Sequence, residues 1–161
     1  MAPPSDLEAL RARRIFPGMS ARESRILRSW LAAHGAEWDA IDVEARLGAG
    51  KLLAPHFDPK FRADWEQRTR ARPDAIATRA PNRAVIVEAK ELATSEAVWQ
   101  VQGYRDLYVA EFPSHEVSTL IICEEAHPTA VAIARSQGVQ IIRYEIPPEE
   151  PLADGEEAPP P

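Results

Sequence analysis

The chain has 161 residues, 45% of them hydrophobic, and a formal net charge of −6, which suits one domain with one sizeable core and is cramped for two. No apolar run reaches the length of a membrane span, Met1-Ala-Pro-Pro-Ser-Asp6 lacks the apolar centre of a signal peptide, and the single Cys123 can form no internal disulfide, so a soluble, cytoplasmic protein without membrane contact is expected. The acidity is local: from Glu145 onward there are six acids and no Lys or Arg, leaving 19 acids against 19 bases in the remainder, a balance that permits nucleic-acid binding through local patches.

Residues 1–19 read as an N-terminal arm, Pro-rich at first and then a short helix over Asp6–Arg14 that Phe16-Pro17-Gly18 breaks. Arg11, Arg13 and Arg14 on that helix are expected to form a solvated face, with phosphate contact as the alternative. Ser20 opens a clear helix in which Ile26, Leu27, Trp30 and Leu31 recur on one stripe, and His34-Gly35 closes it. Ser20-Ala-Arg-Glu23 has the pattern of a capping box. Trp38–Leu47 alternates as a first strand, and Gly48-Ala49-Gly50 is a turn that lacks the Lys-Ser/Thr ending of a phosphate-binding loop, so no nucleotide cofactor is expected.

Pro55–Arg72 is the most basic stretch and reads as a connection. Lys60, Arg62, Arg68, Arg70 and Arg72 alternate with aromatic residues, so the cations are candidates for DNA phosphates and Trp65 for stacking on an exposed base. Asp58, Asp64 and Glu66 dilute that charge, and His56 with Asp58 shows no zinc-ligand spacing.

Residues 74–79 and 84–89 then form a hairpin, the second strand apolar and β-branched, around Ala80-Pro81-Asn82. A three-residue loop pairs Arg79 with Arg83, Ile76 with Ile86 and Asp74 with Glu88. Strand alternation puts Asp74, Glu88 and Lys90 on one face at one end of the hairpin. Two carboxylates at cross-strand distance repel unless a cation sits between them, and all-oxygen ligation suits Mg²⁺ or Mn²⁺. Such a metal with a nearby ammonium is suited to phosphodiester hydrolysis.

After Lys90, Thr94 or Ser95 caps a helix from Glu96 to about Glu111, with Ala97, Val98, Val101, Leu107 and Tyr108 on its apolar side and Gln100 one turn from Tyr104. Val117–Cys123 is a buried strand, Pro128–Gln137 a helix closed by Gly138, and Val139–Tyr144 a last buried strand. Cys123 and His127 read as a buried thiol and a loop residue. The resulting α/β order is helix, three antiparallel strands, helix, strand, then a further helix and strand, a mixed sheet flanked by helices over residues 20–146. Residues 147–161, Pro-rich and acidic, are expected to be a disordered tail.

Pro73-Asp74, Glu88-Ala-Lys90 and Gln100-Val-Gln-Gly-Tyr104, in this order and on these elements, resemble the PD-(D/E)XK nuclease superfamily in its RecB-like branch. The interval from Asp74 to Glu88 looks most like the catalytic domain of NucS-type (EndoMS-type) endonucleases. The resemblance implies a restriction-endonuclease-like fold and a metal-dependent deoxyribonuclease that leaves a 5′-phosphate. In it Asp74, Glu88 and the Ala89 carbonyl hold the metal, Lys90 positions water or offsets charge, and Gln100 assists with support from Tyr104. Glu23 matches an acid that these nucleases often carry on the first core helix, while the capping box explains it equally well. NucS-type enzymes carry an amino-terminal DNA-binding and dimerisation domain, and with residues 1–19 alone preceding the core here, mismatch recognition is not expected to carry over. The expected partners are DNA and a second copy or a larger phage, repair or mobile-element complex. A non-catalytic nuclease-fold adaptor and a resolvase of branched DNA are the alternatives.

Overall fold

Ser20 starts the first long helix through its own side chain. In the computed structural model, which describes residues 6–148, Ser20 Oγ accepts from the Glu23 backbone N–H at 3.1 Å and the Glu23 carboxylate accepts from the Ser20 N–H at 2.9 Å. This reciprocal cap opens α2 (Ala21–His34), which buries Ile26, Leu27, Trp30 and Leu31 along the expected stripe. His34 pairs with Glu37 at 2.8 Å where the helix passes into a short 3₁₀ turn.

The segment set apart as an N-terminal arm packs into the domain. Its helix α1 (Leu7–Ala12) is shorter than Asp6–Arg14, and Leu7, Leu10, Phe16 and Met19 join the same core as α2. Arg11 donates to the Leu31 and Ala32 carbonyls, supplying donors that the end of a helix lacks. Ser24 is fully buried, and its Oγ accepts from the Phe16 N–H at 3.0 Å.

Five strands form one mixed sheet in the order β1 (Ala40–Asp42), β2 (Ala75–Arg79), β3 (Arg83–Ala93), β4 (Glu116–Ala126) and β5 (Gln140–Arg143). The first three are antiparallel neighbours, while β3, β4 and β5 run parallel. The hairpin has the expected register, with Ile76 opposite Ile86 and Arg79 opposite Arg83. Helices α4 (Ser95–Glu111) and α5 (Pro128–Gln137) connect the parallel strands, and Gly138, at φ +68°, closes α5 in the left-handed conformation expected of a helix-ending glycine.

Strand alternation divides the core in two. Ala75, Ala77, Val85, Val87, Ala89, Leu120 and Ile122 pack with α1 and α2, whereas Ile76, Ala84, Ile86, Ile121 and Cys123 pack with α4 and α5. The apolar run of β3 is therefore covered on both faces, as parallel neighbours require.

Two elements differ from the sequence reading. The strand expected over Trp38–Leu47 joins the sheet only through Ala40–Asp42 and makes one further bridge, Leu47 with Ala71, because the Asp42 carboxylate accepts from the Glu44 N–H at 2.8 Å and turns the chain off the sheet edge. Val43, Ala45 and Leu47 still point inward, so the alternation reported burial without a ladder. The connection expected over Pro55–Arg72 contains α3 (Pro59–Thr69), where Asp58 accepts from the Lys60 and Phe61 N–H groups and Pro59 occupies the first turn. No α3 residue is buried, so it left no apolar stripe to read. Gly50 is required beneath it: a Cβ there would lie 1.7 Å from the Glu66 carbonyl oxygen.

Among the described residues no helix is long and apolar enough to cross a membrane. The expected disordered start at residues 1–4 and the tail from residue 149 lie outside the described residues.

Replacing Ser24 by Ala would strand the Phe16 N–H in the core. Urea unfolding of Ser24→Ala should show a loss of about 1–3 kcal/mol with an unchanged m-value; wild-type stability would mean that the Ser24 contact does not anchor residues 6–19.

Candidate active site

The last β2–β3 pair is Ala75 with Val87. One residue earlier the chain bends at Asp74, and Asp74 Oδ2 accepts from the Ala89 N–H at 2.8 Å. A carboxylate thus replaces the backbone partner that β2 would have supplied. Because the N–H and C=O of a strand residue point to the same side, the Ala89 carbonyl lies on this edge as well.

Glu88 lies on the β3 face that packs toward α4 and is only 2% exposed. Its Oε1 accepts from Lys90 Nζ at 2.8 Å, while its Oε2 is buried with no hydrogen-bond partner. Burial, then the charge of Asp74, pushes the Glu88 carboxyl up to about 7, more than Lys90 can offset. Burial also raises Asp74, against the opposing pull of the Ala89 N–H and Lys90. For Lys90, burial favours the neutral amine, but the hydrogen bond to Glu88 and the charges of Glu88 and Asp74 outweigh it and raise the pKa. Lys90 is therefore an ammonium at neutral pH.

Helix α4 covers this corner. Gln100 Nε2 donates to the Tyr104 hydroxyl at 2.7 Å, and burial followed by the Glu88 charge raises the Tyr104 pKa. The Glu23 charge acts on both Asp74 and Lys90 although its carboxylate caps α2. Asp74, Glu88, Lys90, Gln100, Tyr104 and Glu23 are thus gathered at one end of the sheet. Sequence reading omitted Glu91, whose Oε1 accepts from Ser20 Oγ at 3.2 Å and ties the start of α2 to β3. The signal was only its place after Lys90, since the contact joins residues 71 positions apart.

The six candidates for DNA contact separate. Arg70 donates to the Gly48 and Arg46 carbonyls at 2.6 and 2.9 Å and holds the loop before α3. Arg68 pairs with Asp64 at 3.0 Å, and Arg62 Nε is buried without a partner. Lys60 and Trp65 are exposed on α3. Arg72 is the member whose charge reaches Asp74. Cys123 lies opposite Lys90 across the parallel ladder and is a buried thiol whose pKa burial raises.

Among the described residues no three His, Cys, Asp or Glu side chains form a ready-made metal cluster. The oxygen-only set of Asp74, Glu88 and the Ala89 carbonyl nevertheless fits a hard divalent cation, because Glu88 Oε2 is buried without a partner and both carboxylates are held against their charged forms. Comparison with protein-family models, curated proteins and solved structures finds no match to the chain.

The elevated Glu88 value sets a pH dependence. The unfolded chain loses this proton near 4.5 and the folded chain near 7, so stability falls as pH rises through that window, on the order of 3 kcal/mol for a shift of this size. Glu88→Gln should flatten that decline in urea unfolding between pH 5 and pH 8. An identical decline in the variant would remove Glu88 as its source.

Proposed function

We propose that the protein is a metal-dependent nuclease that hydrolyses DNA phosphodiester bonds. The observation that carries this reading is the buried, unpartnered Glu88 oxygen beside Asp74 and Lys90, midway along the central β3 where its pairing with β2 ends. The order of Asp74, Glu88-Ala-Lys90 and Gln100-to-Tyr104 supports it through the resemblance to PD-(D/E)XK nucleases, with Mg²⁺ or Mn²⁺ as the cofactor.

Asp74, Glu88 and the Ala89 carbonyl would hold the cation, with Glu23 as a third acid within electrostatic reach. When bound, it supplies charge to polarise a phosphoryl oxygen and to acidify water. Asp74 is held for this role by the Ala89 N–H. Lys90, kept protonated, serves as a donor and cannot serve as a base. It holds the attacking water through the water oxygen and offsets charge gathering on the phosphoryl oxygens. Gln100 retains its amide carbonyl and a second N–H after donating to Tyr104, enough to orient water or a phosphate oxygen. The water oxygen forms the new bond to phosphorus and gives up a proton to solvent, the bond to the 3′ oxygen breaks, and that oxygen takes a proton from solvent, leaving a 3′-hydroxyl and a 5′-phosphate.

A protein acting on DNA in this way would work in the cytoplasm, as a homodimer or as part of a larger complex. The Lys90–Glu88 ion pair at 2.8 Å also suits a second reading, in which a self-neutralised site belongs to a non-catalytic adaptor.

Cleavage of linear, nicked, branched and single-stranded DNA separates the two. With Mg²⁺ or Mn²⁺ the wild type should cut, EDTA should abolish cutting, and Glu88→Gln should lower the rate at least ~100-fold, as expected for loss of an electrostatic contact in a catalytic site, with unchanged circular dichroism. Lys90→Ala should lose rate while still binding Mn²⁺. Folded wild type that cuts none of these substrates would shift the assignment to the adaptor.

A further inference from the structure

Residues 7–34 contain six arginines against two acids, Glu8 and Glu23. Four of the six are engaged: Arg11 with Glu8 and the last carbonyls of α2, Arg22 with Glu124, Arg13 over the Phe16 ring at 5.9 Å, and Arg25 with the Pro147 carbonyl. Arg14, Arg25 and Arg28 make no ion pair among the described residues. Arg25 donates to the Pro147 carbonyl, and a groove of about 360 Å³ opens between Arg11, Arg25, Arg28, Ser29, Ile146 and Pro147. Arg28 is partly buried there, and its pKa is lowered by burial and then by the charges of Arg25 and Arg14. Like charges are held together here at an electrostatic cost that an anion would relieve.

We propose that this groove binds the phosphates of a polynucleotide backbone, a second contact surface distinct from the carboxylate site. The assignment rests on the nuclease reading for the identity of its partner. Guanidinium groups match phosphate oxygens in a two-pronged geometry, and a groove whose charged side chains are all arginines fits a backbone rather than base edges. At about 3.6 residues per turn Arg25 and Arg28 leave α2 roughly 160° and 140° round the axis from Glu23, so a polynucleotide that reaches both the groove and the carboxylates passes around this helix.

Binding of labelled duplex DNA to the full chain in EDTA, followed by fluorescence anisotropy across a salt series, tests the groove without cleavage. Arg25→Ala with Arg28→Ala should weaken binding about 10-fold or more at moderate salt and reduce the slope of log affinity against log salt by about 2. Arg25→Lys with Arg28→Lys should keep most of the slope. Arg83→Ala with Arg135→Ala removes the same charge at the far end of the strands from Lys90 and should leave it unchanged. An unaltered slope in the Arg25/Arg28 double variant would overturn the groove while leaving metal-dependent cutting intact. Equal losses in both alanine pairs would trace the effect to net charge and also overturn it. Tighter DNA binding by the double variant would assign the arginines to the acidic residues after Pro148, and a wild type that neither binds nor cuts DNA would overturn both this site and the nuclease reading.

Discussion

Two carboxylates withdrawn from water beside one ammonium are the constraint around which this fold is arranged. Asp74 and Glu88 disfavour each other's charge, and Lys90 compensates only one Glu88 oxygen directly. Such a group is costly to bury. The sheet places it where the surrounding contacts are rigid, at the end of a hairpin whose central strand is packed on both faces by Val85, Val87 and Ala89 toward α2 and by Ile86 toward α4. The cost is local, and the apolar contacts around it are extensive.

The elements around the site serve its position in different ways. The Ala89 N–H, left without a β2 partner, fixes Asp74. The α2 cap brings Glu23 near, and Ser20 binds Glu91 on the strand itself. Arg70 and Gly50 seat α3 so that the chain returns to β2 just before Asp74. A helix with no buried residue would otherwise have little to hold it. The tilted ring pair of Phe57 and Phe61 and the exposed Trp65 ring leave aromatic surface on and just before α3.

The hairpin was legible because its information is local: a three-residue loop and strict alternation determine register and face, so Glu88 and Lys90 could be placed together from spacing, whereas Asp74, expected opposite Glu88, lies one residue beyond the ladder and reaches β3 through its side chain at the Ala89 N–H. Gln100 and Tyr104 share a helix face for the same reason. The short β1 and the presence of α3 were harder to read. Burial alternates through Leu47 although the ladder ends at Asp42, and α3 has capping chemistry at Asp58-Pro59 without an apolar stripe. The fates of the basic residues were not legible at all. Whether an arginine meets a carbonyl, as Arg70 does, or remains without a carboxylate, as Arg28 does, depends on contacts between distant parts of the chain. Charge density along the sequence pointed to residues 60–72, and the fold adds a second group, Arg25 and Arg28, on α2.

The most direct measurement of the central assignment is Mn²⁺ binding by titration calorimetry at pH 6.5 in two buffers of different ionisation enthalpy. A divalent cation held by Asp74 and Glu88 should bind at one site and release protons, because Glu88 is pushed up to about 7 before the metal arrives. Asp74→Asn should abolish that heat while the protein remains folded. Mn²⁺ binding that is absent from the wild type, or retained undiminished in Asp74→Asn, would contradict a metal site at this pair of carboxylates.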